Sequence, residues 1–287
     1  MGCSGVKRLF CFGYGYTAQA LVHHLSPVDL EVAGTRTVAE ETPQAQLALF
    51  RGDAAGSDVR ALLAGTTHLL LSIPPDLEGD AVLRHHWADI AALGELAWIG
   101  YLSSIGVYGD CGGRWVDETA TPRPISERSL RRLYAERQWQ DFARQTGKRV
   151  QVFRLAGIYG PGRSVLDHLR AGTARRIVKP GQVFNRVHVD DIARVLGAAM
   201  VRASTHDLFN VADDEPAPPQ DVVAFAAELL GLPVPSAMAI GGAGLSPMAA
   251  TFWAENKRVR NARIKEQLGV TLAFPTYREG LRALAGR

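Results

Sequence analysis

Residues 7–18 read Lys-Arg-Leu-Phe-Cys-Phe-Gly-Tyr-Gly-Tyr-Thr-Ala, a short apolar run that feeds into Gly13-x-Gly15-x-x-Ala18. A helix-compatible segment, residues 18–25, follows directly. The order strand, glycine turn, helix is what gives this pattern meaning. Gly13 permits the tight turn, Gly15 lets a ligand approach the backbone, and Ala18 keeps the helix close to the strand. The amide groups and dipole at the helix start, around Tyr16 and Thr17, attract an anion such as a pyrophosphate. The competing reading is an ordinary strand–turn–helix with incidental glycines.

The rest of the first half alternates. Residues 6–12, 30–34, 48–50, 68–73, 97–102 and 150–155 are short apolar runs. Segments with helical spacing lie between them, at 58–64, 81–96 and 127–145. This rhythm predicts an α/β fold: a Rossmann-type, doubly wound parallel sheet with helices on both faces. Ligands in such sheets bind just past the strand C-termini, near the switch point of strand order.

Those positions hold informative residues. After the second strand comes Gly34-Thr35-Arg36, with no acid where NAD-binding versions usually hold the ribose hydroxyls. Arg36 can pair with a 2′-phosphate and stack on adenine, which favours NADP(H) over NAD; the alternative is a solvated loop arginine. Asp53, after the third strand, either accepts a hydrogen bond from the adenine amino group or caps the next helix. After the fourth strand, Ser72 borders the cofactor cleft. It is followed by Ile73-Pro74-Pro75, whose prolines remove two backbone donors and make the crossing rigid.

Composition narrows the class. The 287 residues suffice for one large domain or two joined ones, and the 47% hydrophobic and 21% charged fractions are those of an ordinary soluble protein. A net charge of +3, with basic residues spread out, does not argue for nucleic acid. Three cysteines without CxxC spacing suggest a reducing, cytoplasmic setting and no structural metal. Met1-Gly2-Cys3-Ser4 hints at N-myristoylation, but Val6 stands where Ser or Thr is wanted, and no secretory segment precedes the first strand. Residues 229–254 carry no charge, yet their prolines and glycines predict a long loop, not a membrane span. With Phe252-Trp253 as an aromatic anchor, that loop reads as a lid.

The middle and end of the chain resemble the extended short-chain dehydrogenase/reductase family, the NAD(P)-dependent epimerases and dehydratases. Tyr101-Leu-Ser103-Ser104-Ile-Gly-Val107-Tyr108-Gly109 is similar to that family's strand-end serine motif ahead of a VYG turn. Val116-Asp117-Glu118, Arg154-Leu-Ala-Gly157-Ile158-Tyr159-Gly160-Pro161-Gly162 and Arg186-Val-His188-Val-Asp190-Asp191 resemble its later motifs, as do Asn210 to Pro216 and Leu268-Gly269. The resemblance implies a catalytic Ser, Tyr and Lys, a small-molecule substrate that includes nucleotide sugars, and no nucleic-acid or membrane partner. It also implies a homodimer through the helices at 81–96 and 127–145. Residues 1–157, with 188–212 returning to them, would form the dinucleotide-binding domain. Residues 158–187 and 213–287 would form a smaller C-terminal α/β substrate lobe.

Ser104 fills the serine place, with Ser103 beside it. The Tyr-x-x-x-Lys pair departs from the family. In one register, aligned on Ala135-Glu136, Arg128 and Arg132 stand in its place. In the other, Tyr134 is the tyrosine and Gln138 replaces the lysine. A guanidinium cannot cycle a proton, though Arg132 can hold a ribose or phosphate. Gln138 carries no charge to lower a phenol pKa of about 10. The spacing to Glu118 favours the first register. Gly157 stands where many members carry an Asn that touches the substrate. The leading reading is therefore an atypical NADP(H)-dependent oxidoreductase or epimerase-like enzyme. The rival is a dinucleotide-bound sensor or scaffold that performs no turnover.

Other candidates have plainer readings. Asp190 or Asp191 caps a helix, with His188 near the cleft. His23-His24 and His85-His86 project about 100° apart on a helix, which suits surface residues better than metal ligands. Tyr108 and Tyr159, in loops near the cleft, read as core or rim packing ahead of a replacement for the missing phenol. Lys257-Arg258-Val-Arg260-Asn-Ala-Arg263 either meets a substrate phosphate or forms a solvated helix face.

Overall fold

The structure, a computed structural model, describes residues 8–26 and 30–286. In chain order the first elements are β1 (Arg8–Phe12), α1 (Tyr16–Leu25), β2 (Glu31–Arg36), β3 (Gln46–Leu49), α2 (Ser57–Leu63), β4 (His68–Leu71), α3 (Ala81–Ala91) and β5 (Trp98–Ser104). A 3₁₀ turn (Ile105–Tyr108) leads to β6 (Trp115–Val116), α4 (Glu127–Thr146), β7 (Val150–Leu155), β8 (Gly157–Tyr159), α5 (Val165–Arg170), β9 (Arg176–Val178), β10 (Arg186–His188), α6 (Val189–Val201) and β11 (Leu208–Val211). The chain ends with α7 (Pro219–Leu229), β12 (Ala237–Ala239), α8 (Pro247–Trp253), β13 (Arg258–Val259), α9 (Ala262–Leu268) and α10 (Tyr277–Ala285).

The central sheet is parallel and seven-stranded, in the order β11-β7-β5-β4-β1-β2-β3. Strand order reverses between β1 and β4, so the crevice opens where the glycine turn leaves β1. The period-two alternation of a strand explains the two cores. Leu9 and Cys11 point to one face and pack with α1, α6 and α9. Phe10 and Phe12 point to the other and pack with α2, α3 and α4. Full burial of each such side chain stabilises the fold by about 1.5–3 kcal/mol. Short two-stranded pairs, β10–β8, β12–β9 and β13–β6, lie outside this sheet.

The predicted parallel sheet is present, with shifts at several element ends. The third strand runs Gln46–Leu49 instead of 48–50, and α3 stops at Ala91, not 96, after a non-helical His86 (φ −128°, ψ 16°). His86 is buried against Phe12 and Phe50, contrary to its reading as a surface histidine. The uncharged stretch 229–254 is not one long loop. Ser246 accepts a hydrogen bond from Ala249 N and Pro247 occupies the first turn, so α8 forms there, while β12 pairs with β9. No helix among the described residues is long and apolar enough to cross a membrane. Val6, Cys3 and the Met1–Ser4 start lie outside the described residues.

Candidate functional site

The glycine turn is held from both sides. Gly13 adopts φ +87°, and a Cβ there would stand 2.7 Å from Ile73 Cγ2, past the end of β4. Its N–H donates to Thr35 Oγ1 (3.0 Å), and Tyr14 N–H donates to Thr35 O (2.8 Å), which ties the turn to β2. Ser72 continues the β1–β4 pairing by donating its N–H to Phe12 O (2.9 Å), which sets it beside Gly13. Gly15 differs. Its backbone is extended (φ −97°, ψ −162°), and beyond its chain neighbours no atom of the described residues lies within 4 Å of where its Cβ would be. Among the described residues no side chain caps α1. The first-turn N–H groups of Tyr16, Thr17 and Ala18 are thus left for an outside acceptor. The Ala18 side chain is buried under the helix.

Arg36 closes the β2 side. Its guanidinium lies 5.9 Å from the Tyr14 ring centroid and pairs with Glu40 (3.0 Å). Asp53 is exposed and lines a pocket with Gly52, Asp76, Arg84 and His85. It does not cap α2, because Gly56 occupies that position.

At the end of β5 the two serines separate, as strand alternation requires. Ser103 is buried and donates to Glu136 Oε1 (2.5 Å). Glu136 also receives Arg154 Nε (3.1 Å) and Nη2 (2.7 Å). Arg154 stacks on Tyr108, whose hydroxyl donates to Asn210 Oδ1 (2.7 Å). Ser104 sits at the strand end, partly exposed, and its Oγ accepts from Gly106 N (3.1 Å).

Arg132 spans the floor of the crevice. Its Nη1 donates to Leu102 O (2.6 Å) at β5 and reaches Tyr101 Oη (3.3 Å) and Ile73 O (3.5 Å). Tyr134 does not join this group. Two residues farther along α4 is roughly 200° around the helix. Its ring is 53% exposed and lies against Gly79 near the start of α3. Gln138 faces the same way and accepts from Asp80 N (2.9 Å).

Sequence reasoning passed over Arg163, although it directly follows the Pro161-Gly162 turn. Its guanidinium lies 5.8 Å from the Tyr16 ring centroid, while Tyr16 Oη donates to Pro161 O (3.0 Å). Arg128, one turn before Arg132, lies 5.9 Å from the Phe252 ring centroid of α8. Burial, with Arg132 and Arg163 nearby, lowers the Arg128 pKa from its ordinary value. The nearby phenols are not poised to ionise: burial pushes Tyr101, Tyr108 and Tyr159 up.

Several expected roles are replaced. The cap of α6 is His188, whose Nδ1 accepts from Asp190 N (3.2 Å). Asp191 instead receives Ala273 N (2.7 Å) and Phe274 N (2.9 Å), anchoring the C-terminal segment. Tyr108 and Tyr159, by contrast, are buried, as expected of packing residues. The basic stretch 257–263 is not one solvated helix face: β13 pairs with β6, Lys257 is buried and donates to Gly109 O (2.7 Å), and Arg260 stacks on Trp115, while Arg263 lies on α9.

The profile of the NAD dependent epimerase/dehydratase family matches residues 92–212. Protein YeeZ of Escherichia coli K12 is 26% identical over 286 residues, covering 94% of this chain and 97% of that protein. A solved structure of a functionally unknown conserved protein from Silicibacter pomeroyi is 47% identical, with a TM-score of 0.88 and coverage of 98% of this chain and 99% of that one. UDP-glucuronic acid 4-epimerase from Bacillus cereus, solved in complex with NAD, shares the fold at 14% identity, with a TM-score of 0.75 and 97% coverage of each chain. Residues 92–212 thus carry the profile of the NAD dependent epimerase/dehydratase family, on a fold that the solved structures share along nearly the whole chain.

Proposed function

We propose that the protein binds NADP(H) and carries out oxidoreductase or epimerase-like chemistry on a small polar substrate, nucleotide sugars included. The observation that carries this reading is the cradle at residues 13–18. There a turn pinned to β2 and β4 presents an open glycine face and an uncapped helix start. That is the form a pyrophosphate needs. The bound dinucleotide would supply a hydride donor or acceptor.

Around it, Arg36 would exchange Glu40 for a 2′-phosphate, and Asp53 would accept from the adenine amino group. Ser72 would border the dinucleotide beside Gly13. Arg132, already fixed to two strand-end carbonyls, would hold a ribose or phosphate. Ser104 would orient the reacting alcohol or carbonyl, and Ser103 would support that strand end through Glu136. Tyr134, turned toward Gly79, has no part in this scheme. Residues 1–157 and 188–212 would hold the dinucleotide, and the remaining segments the substrate. Half-exposed Trp87, Leu130 and Tyr134 on α3 and α4 support a homodimer through those helices.

The test is turnover with a panel of nucleotide sugars and simple carbonyls, wild type against Ser104→Ala. A substrate turned over by wild type, and at least about tenfold more slowly by the variant, supports the reading. Dinucleotide binding with no turnover across the panel would leave the sensor.

A further inference from the structure

Arg128 and Arg132 stand where the resemblance places a tyrosine and a lysine, and Arg163 lies near Arg128. Arg128 and Arg132 are one turn apart on α4, and Arg163 comes from the loop between β8 and α5, across the crevice. Two are held by aromatic rings, Arg128 by Phe252 and Arg163 by Tyr16. The third is fixed to the carbonyls of Leu102 and Ile73. None of the three forms an ion pair with a carboxylate among the described residues. The acid closest in sequence to Arg163, Asp167, is engaged by Ser164 N–H and Oγ–H (both 2.8 Å) in the cap of α5. Like charges brought together repel, and an anion between them relieves that repulsion. A guanidinium beside an aromatic ring still has its fork of donors, which matches phosphate and carboxylate oxygens.

We infer that the substrate of this cleft carries an oxyanion, a phosphate or a carboxylate, which Arg128 and Arg163 hold between α4 and the β8–α5 loop. The inference rests on the cleft being the reaction site proposed above. It changes what the missing tyrosine means: the position recognises charge on the substrate instead of moving a proton. The cofactor's own pyrophosphate is the other oxyanion within reach, because Tyr16 lies in the first turn of α1.

Isothermal titration with glucose 6-phosphate, glucuronate and glucose separates these cases, using protein with and without saturating NADPH. The inference predicts that at least one anionic sugar binds the NADPH-loaded protein and glucose does not. Glucose 6-phosphate alone would mark a phosphate site, and glucuronate alone a carboxylate site. Arg128→Met and Arg163→Met should each weaken that binding about tenfold, and added KCl should weaken it further. Unchanged NADPH affinity and melting temperature in Arg128→Met would show that the variant folds.

Equal binding of glucose, no binding of any sugar at millimolar concentration, or indifference to both substitutions would overturn the inference. So would loss of sugar binding on NADPH loading, since the anion would then be the cofactor's. Arginine-dependent sugar binding in a protein that does not bind NADPH would keep the anion site and remove the redox reading.

Discussion

Gly13 and Gly15 sit two residues apart in one turn, yet alanine should act on them in opposite ways. Gly13 is at φ +87°, and an added Cβ would stand 2.7 Å from Ile73 Cγ2 and 3.3 Å from Ile73 N. Left-handed backbone costs an L-residue about 1–2 kcal/mol, and forcing a methyl into a packed contact about 1–3 kcal/mol. Gly13→Ala should therefore destabilise by roughly 2–4 kcal/mol, a melting shift of roughly 5–15 °C in a chain of this size. Gly15→Ala meets neither cost, since its backbone is extended and its Cβ would enter open space. Stability should change by no more than about 0.5 kcal/mol. The same open space is where the phosphates would lie, so the methyl should displace a charge-assisted hydrogen bond of about 1.5–3 kcal/mol and weaken NADPH at least about tenfold. Thermal melting with a fluorescence titration reads both quantities on each variant. Equal destabilisation by the two substitutions, or unaltered NADPH affinity in Gly15→Ala, would refute the reasoning.

Other consequences concern the buried charges. Glu136 is 1% exposed and takes three hydrogen bonds, so Glu136→Ala should cost about 3–5 kcal/mol by stranding Arg154. A Glu136→Leu/Arg154→Leu double variant should recover much of that in urea denaturation, and simple additivity would contradict the coupling. Asp213, buried near Arg186, Asp214, Glu215 and Tyr159, has its carboxyl pushed up to about 8 by burial, and its Oδ2 has no partner among the described residues. A raised carboxyl pKa means the folded state keeps a proton the unfolded chain loses. Asp213 thus favours folding below about pH 4, and its contribution falls as pH rises to about 8. Asp213→Asn should flatten the stability profile over that window, and an unchanged slope would argue against the buried acid. Breaking the Asp191 bonds to Ala273 and Phe274 with Asp191→Ala should speed amide exchange at those two positions before it affects β1.

The parallel sheet was legible because its strands are local apolar runs, and the cradle because its glycines act within a few residues. What escaped reading depends on distant partners. Asp191 looks like a cap until Ala273 and Phe274, more than eighty residues later, require its oxygens. His188 then supplies the cap with a ring nitrogen. Lys257 reads as a surface charge, but β13 pairs with β6 and carries it inward to Gly109. His86 reads as a surface residue because its neighbour is another histidine, while the fold sets its ring against Phe12 and Phe50. Of the two registers of α4, the spacing to Glu118 favours the one with Arg128 and Arg132. On the helix, Arg132 reaches the strand carbonyls while Tyr134 lies beside Gly79.

The most direct test of the central claim is a fluorescence titration with NADPH and, separately, NADH, on wild type and Arg36→Ala. The account predicts saturable NADPH binding, tighter than NADH in the wild type, with the preference lost in Arg36→Ala. Saturable binding of neither nucleotide would contradict it, and would leave the cradle at Gly13 to some other anion.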